Sequence, residues 1–296
     1  MKEEWEQTSV NGEYFLSTQK ELEVNQVKVN GKELTLIGYL INPHEPNKGN
    51  EDCLKAIFNN VNTTNDIFEE LYAYSGRFVL IGSIGDEMVI VSDPCGLRQV
   101  YYTEIDGNLW FASQPNLLAE VFNIPIRNED KLNEFLSLPA YEYYQRFWVG
   151  EDCIYENIRH LMPNYFFNVK QKEAERYWIN HEKGIDLQDA VVKAAKVLRG
   201  SMNAIARRGN LIQGLTAGWD SRILLAASKN VKNEILFYIS LGDDKLNRNT
   251  DLKIATKLAD ELDIKLHIMK NLNGVSEEIS TLIKRNVTQG RNIKKT

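Results

Sequence analysis

The chain has 296 residues, enough for two domains at about 150 residues each. Hydrophobic residues make up 43% and charged residues 26%, a globular composition that argues against wholesale disorder and against a collagen-like fibre. A net charge of −6 disfavours a protein built to neutralise a nucleic-acid backbone, but not a small phosphate ligand, which backbone N–H groups hold without many cations.

Met1-Lys2-Glu3-Glu4-Trp5 lacks the positive start and apolar run of a signal peptide. Aliphatic runs such as Ile223 to Ala227 are far too short to span a bilayer. The expectation is a cytoplasmic protein without a membrane partner. Three widely spaced cysteines, Cys53, Cys95 and Cys153, form no Cys-x-x-Cys pair, and His44, His160, His181 and His267 have no metal-ligand spacing. Disulfide scaffolds and zinc ribbons are disfavoured.

Residues 10 to 120 read as strand-rich. Val27 to Val29 and Leu34 to Ile41 flank Asn30-Gly31, a two-residue hairpin signal, and Phe78 to Ile81 and Met88 to Val91 flank a second turn. Leu54, Ile57 and Phe58 place an apolar stripe on a helix over Asp52 to Phe58. Strands at Val100 to Thr103 and Leu109 to Ala112 surround Asp106-Gly107. This half is α+β. A helix over Leu132 to Leu136 ends by Pro139, and an aromatic cluster follows (Tyr141, Tyr143, Tyr144, Phe147, Trp148). Its neighbours are mostly acidic, so packing suits it better than nucleic-acid binding.

From Asp186, a plausible N-cap, the pattern changes. Val191, Ala195, Leu198, Met202 and Ile205 share one face of a long helix. Strand Leu211 to Leu215, helix Asp220 to Ser228, strand Ile235 to Leu241, a helix opening at Thr250 and strand Ile264 to Met269 follow. The third helix should bury Leu252, Ala255, Leu258, Ala259 and Leu262. Alternating strands and helices imply a parallel sheet, with a domain boundary near residue 180.

Leu215-Thr216-Ala217-Gly218-Trp219-Asp220-Ser221 joins the first of these strands to its helix. A helix amino terminus carries unpaired N–H groups and partial positive charge, worth about 0.3–1 kcal/mol to an anion at an exposed end. Ala217 and Gly218 are small enough for close approach, Thr216 and Ser221 carry hydroxyls, and Asp220 suits a phosphate-bridging Mg²⁺. Neither G-x-x-x-x-G-K-[ST] nor G-x-G-x-x-G is present, which disfavours a Walker-type NTPase and a dinucleotide fold.

Thr216 to Ser221 resembles the S-G-G-x-D-S pyrophosphate loop of the asparagine synthetase family. Gly242 with Asp251-Leu252-Lys253-Ile254-Ala255 and the strand ending near His267 resemble that family's second βαβ segment. Ile158 to Tyr165 and Arg176-Tyr177-Trp178 resemble its connector. Gly76-Arg77-Phe78, Asp93 to Tyr102 and Phe111-Ala112-Ser113 resemble its glutaminase segments G-x-F, R-D-x-x-G-x-K-P-L-Y-Y and F-A-S. The blocks fall in family order.

The resemblance implies an α+β N-terminal-nucleophile-like (αββα) domain, a class II glutamine amidotransferase-like unit over residues 1–180 including the connector. An α/β parallel-sheet domain of the PP-loop, adenine-nucleotide-hydrolase-like type would follow over 181–296. It further implies an ATP-dependent, AMP-forming amide ligase in which ATP activates a carboxylate and an amine then displaces AMP. Leu215, Thr216, Ala217, Gly218, Asp220, Ser221 and Arg222, with Leu241 and Gly242, would hold ATP and pyrophosphate, and Asp220 and Asp251 would hold Mg²⁺. Asp251 reads equally as a helix cap, and Arg222 as a first-turn surface residue. If Ala217 stands where the backbone needs φ > 0, it costs on the order of 1 kcal/mol.

The chain departs from the family in several places. Position 2, where the nucleophilic cysteine belongs, is Lys2, and no cysteine precedes Cys53. Gly38-Tyr39-Leu40 stands where the family has N-G-E, and Ser75 where it has the acid that holds the substrate amine. These changes predict no glutaminase activity and no catalytic residue in that half. Only 45 residues (296 − 251) follow Asp251, without the family's acidic G-x-x-D-E segment or its lysine, so the expectation is an incomplete synthetase part. The stretch from Thr281 to Thr296 is polar and cationic and reads as a solvated end. The alternatives are a fragment of a longer protein, a chain that needs a protein partner or forms a homodimer, a non-catalytic remnant that binds a protein partner, and a tRNA-thiolase-like adenylating enzyme. The acyl substrate is not named by these residues.

Overall fold

A computed structural model describes residues 5–139, 150–177, 184–241, 245–270 and 276–286. Six strands open the chain as hairpins. They are β1 (Trp5–Val10), β2 (Tyr14–Gln19), β3 (Val24–Val29), β4 (Lys32–Ile41), β5 (Ser75–Ile84) and β6 (Glu87–Ser92). Asn30 and Gly31 both take left-handed φ, +49° and +77°, the twist that matches a two-residue hairpin and that Asn and Gly adopt at least cost. Asn11 and Gly12 take the same left-handed φ, +53° and +74°, in the three-residue loop between β1 and β2, a hairpin not expected from the sequence although the dipeptide signals it.

Strands β3 to β6, with β10 (Tyr165–Asn168) and β11 (Glu173–Arg176), form one antiparallel sheet in the order β11-β10-β6-β5-β4-β3. Alternation along β4 decides its two faces. Leu34, Leu36 and Leu40 turn toward helices α1 (Asn50–Asn60) and α2 (Thr64–Leu71), where Leu54, Ile57, Ile67 and Phe68 are buried with them. Each such side chain contributes about 1.5–3 kcal/mol of burial. Ile37 turns the other way with Val79 and Ile90, onto Val100, Tyr102 and Leu161. Tyr102 belongs to a second sheet, β8-β7-β9, made of β7 (Tyr101–Ile105), β8 (Asn108–Ala112) and β9 (Arg159–His160). Helix α3 (Pro115–Phe122) packs Leu118 and Ala119 beside Tyr101 and Ala112 of that second sheet. The layers therefore run helix, sheet, sheet, helix, in agreement with the αββα expectation.

Helix α2 was not anticipated. Its signal is Thr63-x-x-Asp66: the Asp66 carboxylate accepts from the amides of Asn62 and Thr63, 2.8 Å each, while Asp66 N donates to Thr63 Oγ1. Those amides hold the Asp66 carboxyl below its ordinary pKa. Helix α4 (Glu129–Ser137) contains the expected Leu132 to Leu136 segment. The aromatic cluster from Tyr141 to Trp148 lies outside the described residues, as does Trp178.

The second half contains α5 (Leu187–Ala206), β12 (Leu211–Gly214), α6 (Trp219–Ala227), β13 (Ile235–Leu241), α7 (Lys245–Leu262), β14 (Leu266–Lys270) and α8 (Glu277–Asn286). β12, β13 and β14 pair in parallel in that order, as the alternation of strand and helix required. Met202 of α5, Leu225 of α6 and Ala255 of α7 are buried in one cluster with Phe237 and Ile239 of the central strand. The opposite sheet face is open, with Ile212 61% and Leu236 42% exposed.

Four expectations need correction. Val191 and Ala195 are exposed although Met202 is buried. A 20-residue helix runs about 30 Å and a four-residue strand about 13 Å, so the first turns of α5 outreach the sheet that covers its end. Helix α7 starts at Lys245 rather than Thr250, because residues 245–249 contain no Gly or Pro to stop it. Leu262 is 41% exposed, in the last turn beyond the buried Ala255 and Ala259. Residues Thr281 to Asn286 are helical, forming the last turns of α8.

The two halves meet where α5 crosses the segment after β4. Arg208 donates to Asn50 Oδ1 and, at 3.0 Å, to the carbonyl of Lys48. Asn50 is buried and spends its other bonds on β4, accepting from Leu40 N and donating to Gly38 O. A Cβ on Gly200 of α5 would lie 1.8 Å from Pro43 O. Alanine in a helix interior ordinarily gains about 0.5–1 kcal/mol over glycine. Here Gly200→Ala should reverse that sign and destabilise by about 1–3 kcal/mol, read as a lower urea midpoint.

Candidate functional site

The segment after β12 lies at the carboxyl end of the parallel sheet, where open α/β sheets bind ligands. Leu215 N donates to Tyr238 O of β13 at 2.8 Å, which fixes where the loop leaves the sheet. Leu215 is fully buried, so the turn that follows begins from an anchored point.

The turn is held by its own side chains. Ser221 Oγ accepts from Thr216 N at 3.1 Å and lies 3.0 Å from Thr216 Oγ1. Gly218 N donates to Thr216 Oγ1 at 3.1 Å. Ala217 N donates to Asp251 Oδ1 at 2.8 Å, a bond from a residue 34 positions away. Three loop amides are thereby satisfied by Ser221, Asp251 and Thr216. The next N–H groups belong to Trp219, Asp220 and Ser221, the first turn of α6. Its N-cap, Gly218, supplies no side-chain acceptor. These amides point out of the helix end with the positive pole of its dipole.

Gly218 has φ −65°, and Ala217 is not among the residues with positive φ. The strain anticipated for Ala217 is therefore absent. Asp220 sits exposed in the first turn of α6. Arg222 returns to the loop, donating from Nε to Gly218 O at 3.3 Å, and its guanidinium lies 4.6 Å from the centre of the Trp219 ring. Asp251 is brought to the loop and accepts from Ala217 rather than capping its own helix. Leu241 ends the neighbouring strand, paired with Lys270. Gly242 lies outside the described residues.

Two further residues support the loop. Gln213, buried on β12, donates to Ser221 O at 3.4 Å and accepts from Ser228 Oγ at 3.0 Å, tying both ends of α6 to the strand. Tyr238 supplies the carbonyl that receives Leu215, and its ring lies beside Gly214. Neither belongs to a recognisable motif. A polar glutamine inside an apolar strand was the available signal.

The donor set suits a hydrated, phosphate-bridging Mg²⁺ more than a protein-caged metal. Asp251 contacts the loop at Ala217 and Asp220 stands exposed in the first turn of α6, and Mg²⁺ is usually bound through one or two carboxylates plus phosphate and water. Among the described residues no group of three or more His, Cys, Asp or Glu is placed to hold a metal ion. No described helix is long and apolar enough to cross a membrane.

In the first half, Gly38 to Leu40 of β4 lie opposite Gly76 to Phe78 of β5, Leu40 pairing with Gly76 and Tyr39 with Arg77. Cys53 and Cys153 are buried, and burial pushes the Cys153 thiol up to about 11 and the Cys53 thiol up as well.

No family model and no curated protein sequence matches the chain. Solved structures do align with it. One, the allosteric regulatory enzyme of purine biosynthesis, is 14% identical with a TM-score of 0.34, over 84% of this chain and 62% of that one. Another, the glutamine phosphoribosylpyrophosphate amidotransferase of B. subtilis complexed with ADP and GMP, is 12% identical with a TM-score of 0.33, over 88% of this chain and 52% of that one. The chain thus spans little more than half the length of these proteins.

A thiol stays neutral and unreactive below its pKa, and Cys95 alone of the three is exposed. At pH 8 a disulfide-exchange reagent should label one thiol of the folded protein rapidly, and a Cys95→Ser variant should lose that phase. All three should react after denaturation.

Proposed function

We propose that the chain is an asparagine synthetase-like protein whose second half binds ATP·Mg²⁺ at the loop from Leu215 to Arg222. The supporting observation is that Asp251 reaches the turn at Ala217 N, beside the open amino terminus of α6 at the carboxyl tip of a parallel sheet. In this reading the amides of Trp219, Asp220 and Ser221 take phosphate oxygens, and Arg222 lends positive charge beside them. Asp220 and Asp251 hold the Mg²⁺, which would neutralise phosphate charge there. The reaction class is amide ligation: a carboxylate oxygen attacks the α-phosphate, pyrophosphate leaves, and an amine then displaces AMP. Leu241 and Gly242 would border the nucleotide from the second strand. The first half, over residues 1–180, serves as an amidotransferase-like packing partner without glutaminase activity. Ser75 offers no carboxylate for a substrate amine, and Cys53 and Cys153 are shut away from solvent.

The site as folded favours weak binding over turnover. Asp251 already occupies the Ala217 amide, so an anion must displace a charge-assisted bond worth about 1.5–3 kcal/mol to use it. A second reading, a non-catalytic member that binds a protein or a second copy of itself, is supported by the uncovered sheet face carrying Ile212, Leu236 and Met269.

Calorimetric titration separates the two. ATP with Mg²⁺ should bind at a Kd on the order of millimolar or below, and Asp220→Ala should weaken it by about tenfold, or 1.4 kcal/mol. Heat of binding that is absent at millimolar ATP would favour the non-catalytic reading, and glutamate released from glutamine would overturn the inactive first half.

A further inference from the structure

The two halves border a cleft of about 520 Å³ where the end of α5 meets the segment leading into α1. Asn47 and Lys48 line it from the first half, and Arg207, Arg208 and Asn210 from the second. It lies at the amino end of β12, whereas the nucleotide loop stands at the carboxyl end of the same strand.

The lining is rich in donors and poor in acids. Arg208 is partly buried, and its guanidinium crosses to Asn50 Oδ1 and Lys48 O, both neutral acceptors. Among the described residues, the side chains of Arg207, Asn47 and Asn210 have no hydrogen-bond or ion-pair partner. Lys48 pairs with Glu45 at 2.8 Å. Glu23 is the one carboxylate among the described lining residues; it accepts from Asn25 Nδ2 at 3.0 Å and pairs with neither arginine. The amino terminus of α1 adds little attraction for an anion, because Asp52 already accepts from Gly49 N there.

The carbonyl end of α5 carries about half a negative charge, less than the two guanidinium charges beside it. Like charges at adjacent positions repel, and a partly buried guanidinium without a counter-charge is costly. The missing partner is an acceptor-only group with several oxygens and more than one negative charge. A phosphate monoester has three such oxygens and about 1.5–2 charges at pH 7, and arginine forks match its geometry.

We propose that this cleft is a phosphate-binding site, in which one phosphate group bridges Arg207 and Arg208 of the second half to Lys48 of the first and so clamps the halves together. The phosphate belongs to the free ion or to a small phosphorylated molecule that fills more of the cleft. The site is separate from the nucleotide loop, and either can fail alone.

The test is thermal melting of the full chain titrated with sodium phosphate or glucose 6-phosphate, ionic strength being held with sodium chloride. Each should raise the midpoint saturably, with half-effect on the order of millimolar. Phosphate also stabilises proteins by exclusion from their surface, equally in wild type and variant, so the difference between the two is the readout. Arg207→Gln should raise the half-effect concentration by about tenfold. Arg207 is exposed and unpartnered among the described residues, so this variant keeps the fold. Lys193→Gln, at an exposed position on α5 outside the cleft, and Asp220→Ala should leave the response unchanged. A lower half-effect concentration for glucose 6-phosphate than for phosphate assigns the site to phosphorylated molecules, and equal values assign it to the free ion. Equal responses in wild type and Arg207→Gln, or a response altered by Asp220→Ala but not by Arg207→Gln, would each overturn the assignment.

Discussion

The hydrogen bond from Ala217 N to Asp251 is the constraint on which the nucleotide reading rests. It joins the turn after the first parallel strand to a helix that begins two elements later, so the turn has its shape only when the βαβ unit is closed. With Ser221 filling the space behind Thr216, the turn is rigid before any ligand arrives. Such preorganisation lowers the entropic cost of binding, yet it also places a carboxylate where an anion would otherwise bind. In that reading, the same contact that shapes the turn would limit how strongly it holds phosphate.

A second constraint works at the junction of the halves. Asn50 is buried with its side-chain oxygen shared between Leu40 N and Arg208, while its amide nitrogen serves Gly38 O. One side chain thus links the central strand of the large sheet, the amino terminus of α1 and the end of α5. Gly200 permits the helix to approach Pro43 closely enough for this to happen.

Much of the chain could be read from local chemistry. Asn30-Gly31 and Asp106-Gly107 dictate their hairpins through left-handed φ, and the apolar run of β13, Ile235 to Leu241, gives a strand with matching ends, buried on one face. Asp186 caps α5 as its type and position required, accepting from Asp189 N. Asn11-Gly12 and Thr63-x-x-Asp66 carried equally local signals that went unread. The turn from Leu215 to Ser221 was legible as a link between a strand and a helix, while its reading as a phosphate loop came from the family resemblance.

What tertiary structure alone decided is which groups face one another. Sequence spacing gave α5 one continuous apolar face, but the length of β12 determined that only its second half is covered. Asp251 was ambiguous between capping and facing the site until the parallel sheet brought α7 over the turn. Local propensities act over a few residues and are written in order along the chain. Charge balance and hydrogen-bond supply act across space, between residues that only the folded sheets make neighbours.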